Sequence, residues 1–182
     1  MSRIPTPASI EKSLPAAQPL LEAVKRQLGV VPNMFRIIGN SPAGLEGYLS
    51  LSGALGKGEL EAKTRTRIAM VVAELNGCDY CLSAHAYLGK NVAKLDDHEI
   101  TINRDAASED AKAAAALRFA KVLVTGRGTV AAADVDAVKA AGYSDAQLVE
   151  IILHVALNTL TNYVNKALGT EIDFPVVSHH AS

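Results

Sequence analysis

The chain has 182 residues, a formal net charge of −1, and 49% apolar but only 4% aromatic residues. That length suits one domain with a real core. The dispersed, nearly cancelling charge argues against a nucleic-acid or acidic-membrane footprint. With few aromatics, Ala, Leu, Val and Ile must fill the interior, which favours close-packed helices. No apolar run approaches the ~18 residues of a membrane span, and Met1-Ser2-Arg3-Ile4-Pro5-Thr6-Pro7 lacks the apolar centre of a secretory signal. The expectation is a soluble, cytoplasmic protein with neither nucleic acid nor membrane as a partner.

Residues 1–15 carry Pro and Ser without periodicity and read as an extended N-terminal arm. Pro19 suits a first helical turn, and Leu20, Leu21, Val24 and Leu28 give helical spacing up to Gly29. Val31-Pro32-Asn33 starts a short helix through Ile38. Ser41-Pro42 joins an N-cap to a proline at the first helical position, opening a helix to about Leu55. From Glu59 to Asn76, Ile68, Val71, Val72 and Leu75 repeat at i, i+3, i+4 and i+7, so one face is buried. A helix from Cys78 to about Val92 follows, then one near 96–102 and an alanine-rich one near 109–124. Gly126-Arg127-Gly128 interrupts the chain. Helices over 131–141 and 145–168 complete the set, the last capped by Ser144 and stopped by Gly169. No alternating strand run is visible, and the prediction is a single all-α domain over residues 16–177 with a loose tail at 178–182.

The only two cysteines lie in Asn76-Gly77-Cys78-Asp79-Tyr80-Cys81-Leu82-Ser83-Ala84-His85. Gly77 reads as the left-handed close of one helix and Cys78 as the opening of the next. At 3.6 residues per turn, positions 78, 81 and 85 fall within roughly 60° of arc. Cysteines three apart on a helix have α-carbons about 5–6 Å apart, inside the range a disulfide tolerates. The pair can therefore cycle between dithiol and disulfide with little backbone movement. His85 stands one turn beyond Cys81, within reach of its proton directly or through a water. A thiolate attacking a peroxide becomes a sulfenic acid, which the second cysteine captures as a disulfide. The helix terminus favours a thiolate at Cys78 by ~0.3–1 kcal/mol, whereas the histidine offers Cys81 a specific acceptor. Cys81 is the expected attacker and Cys78 the resolver. Glu74 is placed to orient His85 or relay a proton, and Tyr80 to offer its phenol to the site.

This stretch resembles the alkylhydroperoxidase AhpD and carboxymuconolactone decarboxylase family in its peroxidase-related branch. Val31-Pro32-Asn33-Met34-Phe35, Ser41-Pro42 and the closing Asn162-Tyr163-Val164-Asn165 to Thr170-x-x-Asp173-Phe174-Pro175 support the likeness. The resemblance implies an all-helical fold, a homo-oligomer (trimer or hexamer), and thiol-dependent reduction of hydroperoxides. In AhpD-like members the cysteine matching Cys81 is the attacker, and the histidine matching His85 belongs to a proton relay. The family's glutamate twelve residues before the first cysteine is replaced here by Thr66, and the nearby Glu74 is the candidate substitute. The lactone-decarboxylase members generally lack the cysteine pair, which argues against that reaction. A lipoyl- or thioredoxin-type thiol reductant is implied as partner, and no bound cofactor is required, since the cysteines store the two electrons.

Rival readings are a thiol-disulfide oxidoreductase or redox-sensing oligomer without peroxidase turnover, a zinc site using Cys78, Cys81 and His85 with His154 or Glu74 as a fourth ligand, and a cysteine pair that merely fills a core. Structural zinc sites usually join two knuckles, whereas these three lie along one helix. On the last helix His154, Asn158, Asn162 and Asn165 form an uncharged polar stripe. Solvent faces usually carry Lys and Glu, so this stripe predicts a hydrogen-bonded network at a subunit contact or near the site. His98, His179 and His180 receive no role.

Overall fold

In the computed structural model, which describes residues 2–180, the capping residues of the sequence fall where helices begin and end. After single 3-10 turns at Ile10–Lys12 and Pro15–Ala17 come α1 (Gln18–Leu28), α2 (Asn33–Ile38), α3 (Pro42–Leu55), α4 (Ala62–Leu75) and α5 (Asp79–Asn91). They are followed by α6 (Asp97–Arg104), α7 (Ala111–Thr125), α8 (Ala132–Ala140) and α9 (Asp145–Leu168). Among the described residues there is no strand. Ser41 Oγ accepts the Gly44 N–H at 3.1 Å to start α3, and Ser144 Oγ accepts the Gln147 N–H at 3.1 Å to start α9. Each satisfies a donor that the first helical turn leaves without a partner. Gly169, at φ 61°, closes α9 in the left-handed conformation.

α4 is the central helix and packs against α5, α6, α7 and α9. Its Ile68, Val71 and Val72 are fully buried among Ala116, Leu117 and Ala120 of α7 and Ile151 of α9. Burying each such aliphatic side chain contributes about 1.5–3 kcal/mol. Alanines on α7 let its backbone lie close to α4, which explains how a chain with few aromatics fills its core. Leu75, one turn beyond this core, is exposed although the periodicity places it on the buried face. A second cluster joins Leu21 and Val24 of α1 to Ile38 and Leu45, and Val164 of α9 packs against it. A third holds Met70, Ala73, Cys78, Tyr80, Cys81 and Leu82, closed by Ile172, Phe174 and Val177.

The tail corrects the expectation of looseness at 178–180. Ser83 Oγ bonds both the N–H and the carbonyl of Val177, Arg104 Nη2 donates to Ser178 O at 2.8 Å, and His179 and His180 donate their backbone N–H groups to Asp79 and Glu74. Residues 170–180 thus form a strap over the start of α5, held by charged groups contributed from α4, α5 and α6. Residues 181 and 182 of the expected loose tail lie outside the described residues. At the other end, Arg3 is hydrogen-bonded to the carbonyls of Ala167 and Leu168, so the arm is tied to the end of α9. No helix among the described residues is long and apolar enough to cross a membrane.

Candidate active site

α4 closes in a Schellman turn in which Gly77 N–H donates to Glu74 O and Cys78 N–H to Ala73 O, each at 2.9 Å. Gly77 has φ 59°, which favours glycine, and a Cβ there would lie 3.3 Å from the His179 ring and press on it. The turn delivers Cys78 as the N-cap of α5, where its Sγ accepts the Cys81 N–H at 3.3 Å.

Cys78 is 1% exposed and Cys81 3% exposed. One wall around them is polar: Asn165 Nδ2 on α9 donates to Cys81 Sγ at 3.2 Å, and Asn162 presents its carboxamide to the same sulfur. The two thiols are driven apart electrostatically. The Cys78 thiol, hydrogen-bonding to Cys81, together with the Asn165 and Asn162 amides, holds Cys81 below the ordinary thiol range against the opposing effect of burial. Cys78 is pushed up by that same bond, by burial and by the charge on Cys81, with Lys166 opposing. The helix terminus therefore does not favour Cys78: of the two thiols Cys81 is the one lowered and Cys78 the one raised.

His85 follows Cys81 by one turn, but among the described residues no hydrogen bond joins it to either cysteine. Its imidazole bonds Asn158, whose Nδ2 in turn donates to His154 O at 2.7 Å. Burial pushes His85 down to about 4, partly offset by Asn158, so the ring is neutral at pH 7. Glu74 lies elsewhere than expected. Its carboxylate takes Arg104 Nε at 2.6 Å and the His180 N–H at 2.6 Å, and no bond to His85 exists among the described residues. The last turn of α4 faces α6 and the strap, which is why Glu74 meets Arg104. Burial works against its charge, but Arg104 and His180 hold it below the usual carboxylate range. Tyr80 is likewise engaged: its hydroxyl accepts the Met34 N–H at 3.1 Å and bonds Asp173, and its ring meets Phe174 edge-on. Burial pushes the phenol up, leaving it a neutral group. Thr66 donates its hydroxyl to Ala62 O within α4 and packs toward Gly89 of α5.

Several contributors escape a reading by spacing alone. Asn76 caps α4 and bonds Asn162 at 2.9 Å, and Lys166 Nζ reaches Asn76 O at 2.5 Å. Tyr48 of α3 lies near enough to feel the charge of Cys81 and is pushed up to about 12, chiefly by burial. The amide stripe on α9 was the visible signal for Asn158, Asn162 and Asn165; nothing in the sequence announced His179. Among the described residues no cluster of three His, Cys, Asp or Glu side chains is placed to hold a metal ion.

Residues 42–123 match the model of the carboxymuconolactone decarboxylase family. The matched segment runs from α3 into α7 and includes both cysteines, His85, Glu74 and Tyr80. No curated protein matches the sequence. The fold is that of the AhpD core of a peroxidase-related protein from Ralstonia eutropha, with TM-score 0.83 and 24% identity over 94% of this chain and 92% of that one. A peroxidase-related protein from a Silicibacter species superposes with TM-score 0.80 and 23% identity over 93% of this chain and 91% of that one. A cysteine-to-alanine variant of the debrominase Bmp8, solved with 2,3,4-tribromopyrrole, gives TM-score 0.79 and 19% identity over 95% of this chain and 94% of that one. The same fold is thus found in proteins named peroxidase-related and in a debrominase, so the fold alone does not name a chemistry.

Proposed function

We propose that this protein is a thiol-dependent, AhpD-like peroxidase that reduces hydroperoxides through a Cys81/Cys78 dithiol–disulfide cycle. The observation that carries the reading is the asymmetry of the pair: Cys81 Sγ receives the Asn165 side-chain N–H, while Cys78 Sγ, capping the same helix, receives only the Cys81 backbone N–H and is pushed up by its neighbour and by burial. Cys81 attacks the distal peroxide oxygen, the O–O bond breaks, and the leaving alkoxide takes a proton to become an alcohol. Cys78 then attacks the sulfenic acid on Cys81, releasing water and closing the disulfide. His85, neutral and one turn away, serves as a proton relay rather than a resting base. Glu74 and Tyr80 act by holding the strap across the sulfurs. An external thiol reductant of lipoyl or thioredoxin type restores the pair, so the cycle needs no resident cofactor.

A homo-oligomer, trimeric or hexameric, and a cytoplasmic setting complete the proposal. Exposed Val149, Ile152, Leu153 and Leu160 on α9 support the oligomer, since such a stripe favours burial by another surface. A second reading, a redox-sensing thiol pair without peroxide turnover, is favoured by the burial of both sulfurs. Hydroperoxide consumption with excess dithiol separates the two. Sustained turnover by the wild type and its loss in Cys81→Ser support the peroxidase; disulfide cycling without peroxide loss supports the sensor.

A further inference from the structure

Two carboxamides on α9 stand opposite the reactive sulfur, and their hydrogen bonding is incomplete in a specific way. Asn162 is 0% and Asn165 3% exposed. Asn165 Nδ2 donates to Cys81 Sγ at 3.2 Å, but its Oδ1 has no partner. Asn162 Oδ1 accepts the Asn76 Nδ2 at 2.9 Å, while its Nδ2, on the Cys81 side, lies near the sulfur without completing a well-formed hydrogen bond. Buried polar atoms are nearly always bonded, so an incompletely bonded donor and an unpartnered acceptor on the two amides that meet one sulfur mark a place prepared for a further polar atom. His85 does not fill that place, because its ring bonds Asn158.

We propose that Asn162 and Asn165 form an amide cradle for Cys81, in which Asn165 donates to the anionic sulfur and the Asn162 N–H receives the oxygen atom that the sulfur acquires. The second half rests on the peroxidase reading. When the thiolate attacks, the S–O bond forms as the O–O bond breaks, sulfur gives up two electrons to the peroxide, and the departing alkoxide leaves as the alcohol after protonation. The new sulfenyl oxygen lies one bond from Sγ, where Asn162 Nδ2 can donate to it, and its O–H, once protonated, faces the open Asn165 Oδ1. Amides suit the task because they supply donors without a charge that titrates. The ionisable groups around the cradle are Cys78 and Tyr80 from α5 and Tyr48 from α3, with Lys166 of α9 beside Cys78. Both tyrosines are held neutral by burial, so the cradle supplies the direct donors to the sulfur from outside its own helix. Asn76, as the α4 cap, is a positioning residue that fixes the Asn162 amide.

The test uses the full chain in a Cys78→Ser background, which leaves one thiol. The thiolate fraction at pH 7, read from the pH dependence of iodoacetamide alkylation, should fall at least threefold in Asn165→Ala. Sulfenic acid formed by one equivalent of hydrogen peroxide and trapped with dimedone, with rates compared at equal thiolate fraction because Asn162 also helps hold Cys81 down, should form about tenfold more slowly in Asn162→Ala. An alkylation profile that is unchanged in Asn165→Ala, or moved toward more thiolate, would mean that Oδ1 faces a thiol S–H and would overturn the first half. Equal trapping rates in Asn162→Ala and its parent overturn the second. If the parent alkylates readily but yields no sulfenic acid, the peroxidase reading fails and takes the oxygen-binding half with it, while the titration still decides Asn165.

Discussion

Asp79 Oδ1 accepts the backbone N–H of His179 at 2.9 Å and lies 2.6 Å from its ring Nδ1, tying the end of the chain to the first turn of the cysteine helix. Phe174 adds a second clasp, its ring meeting both Tyr80 and Tyr87. Local opening of such a strap controls how often the buried sulfurs meet solvent. Phe174→Ala removes two aromatic contacts, each worth about 0.5–1.5 kcal/mol beyond area burial. Alkylation of Cys81 should then accelerate by about tenfold, as followed by peptide mass spectrometry. An unchanged rate would mean that reagents reach the sulfur by another route.

Tyr80 supplies a cleaner separation of roles. Tyr80→Phe keeps the ring but removes the hydroxyl that accepts the Met34 N–H and bonds Asp173. The expected outcome is a loss of about 1–2 kcal/mol in urea unfolding together with faster Cys81 alkylation. Lower peroxide turnover with stability and alkylation both unmoved would instead assign the phenol to proton donation.

The thiol pair has a pH signature. Because Cys81 is held below its ordinary range mainly by the Cys78 thiol, its thiolate persists at pH values where a free cysteine is protonated, and reactivity is lost as pH falls through the depressed value. Cys78→Ala deletes that donor, so the alkylation profile of Cys81 should move to higher pH. Stopped-flow alkylation from pH 5 to 10 checks this, and a shift to lower pH would contradict the assigned direction.

Away from the site, Arg67 Nε pairs with Glu99 Oε1 at 2.7 Å inside the α4–α6 contact. Burial opposes the charge on Glu99, but bonds from Ser108, Asn103 and the Glu109 N–H, with Arg67, bring it down to about 2. A carboxylate depressed in the folded state adds stability that is fully present above its unfolded value of about 4.3 and is lost as pH falls toward 2. Glu99→Ala should cost about 3 kcal/mol at pH 7, since it leaves the buried Arg67 with only the longer pairing to Asp110, at 3.7 Å. Chemical unfolding at pH 7 and pH 3 should show this deficit shrinking in acid.

The helices were legible because their ends are written locally. Ser41, Gly77, Ser144 and Gly169 each act within four residues of themselves, and the α4 stripe announces its buried face through Ile68, Val71 and Val72. Periodicity failed at Leu75 because it records a face but not where the neighbouring helices stop. The strap was illegible for a different reason: His179 and Asp79 are 100 residues apart, and neither sits in a repeating pattern. Within the site, the cysteine spacing and the amide stripe were both visible, but which amide meets which sulfur depends on the α5–α9 packing. Glu74 misled because proximity in sequence to Cys78 says nothing of which way the last turn of α4 points.

The most direct measurement of the central assignment is the intact mass of Cys78→Ser and Cys81→Ser proteins after one equivalent of hydrogen peroxide. With Cys81 as attacker and Cys78 as resolver, Cys78→Ser gains one oxygen, about 16 Da, reversible by dithiol, and Cys81→Ser gains none. Oxygen gained by Cys81→Ser while Cys78→Ser stays unmodified would reverse the roles of the two sulfurs and contradict the account.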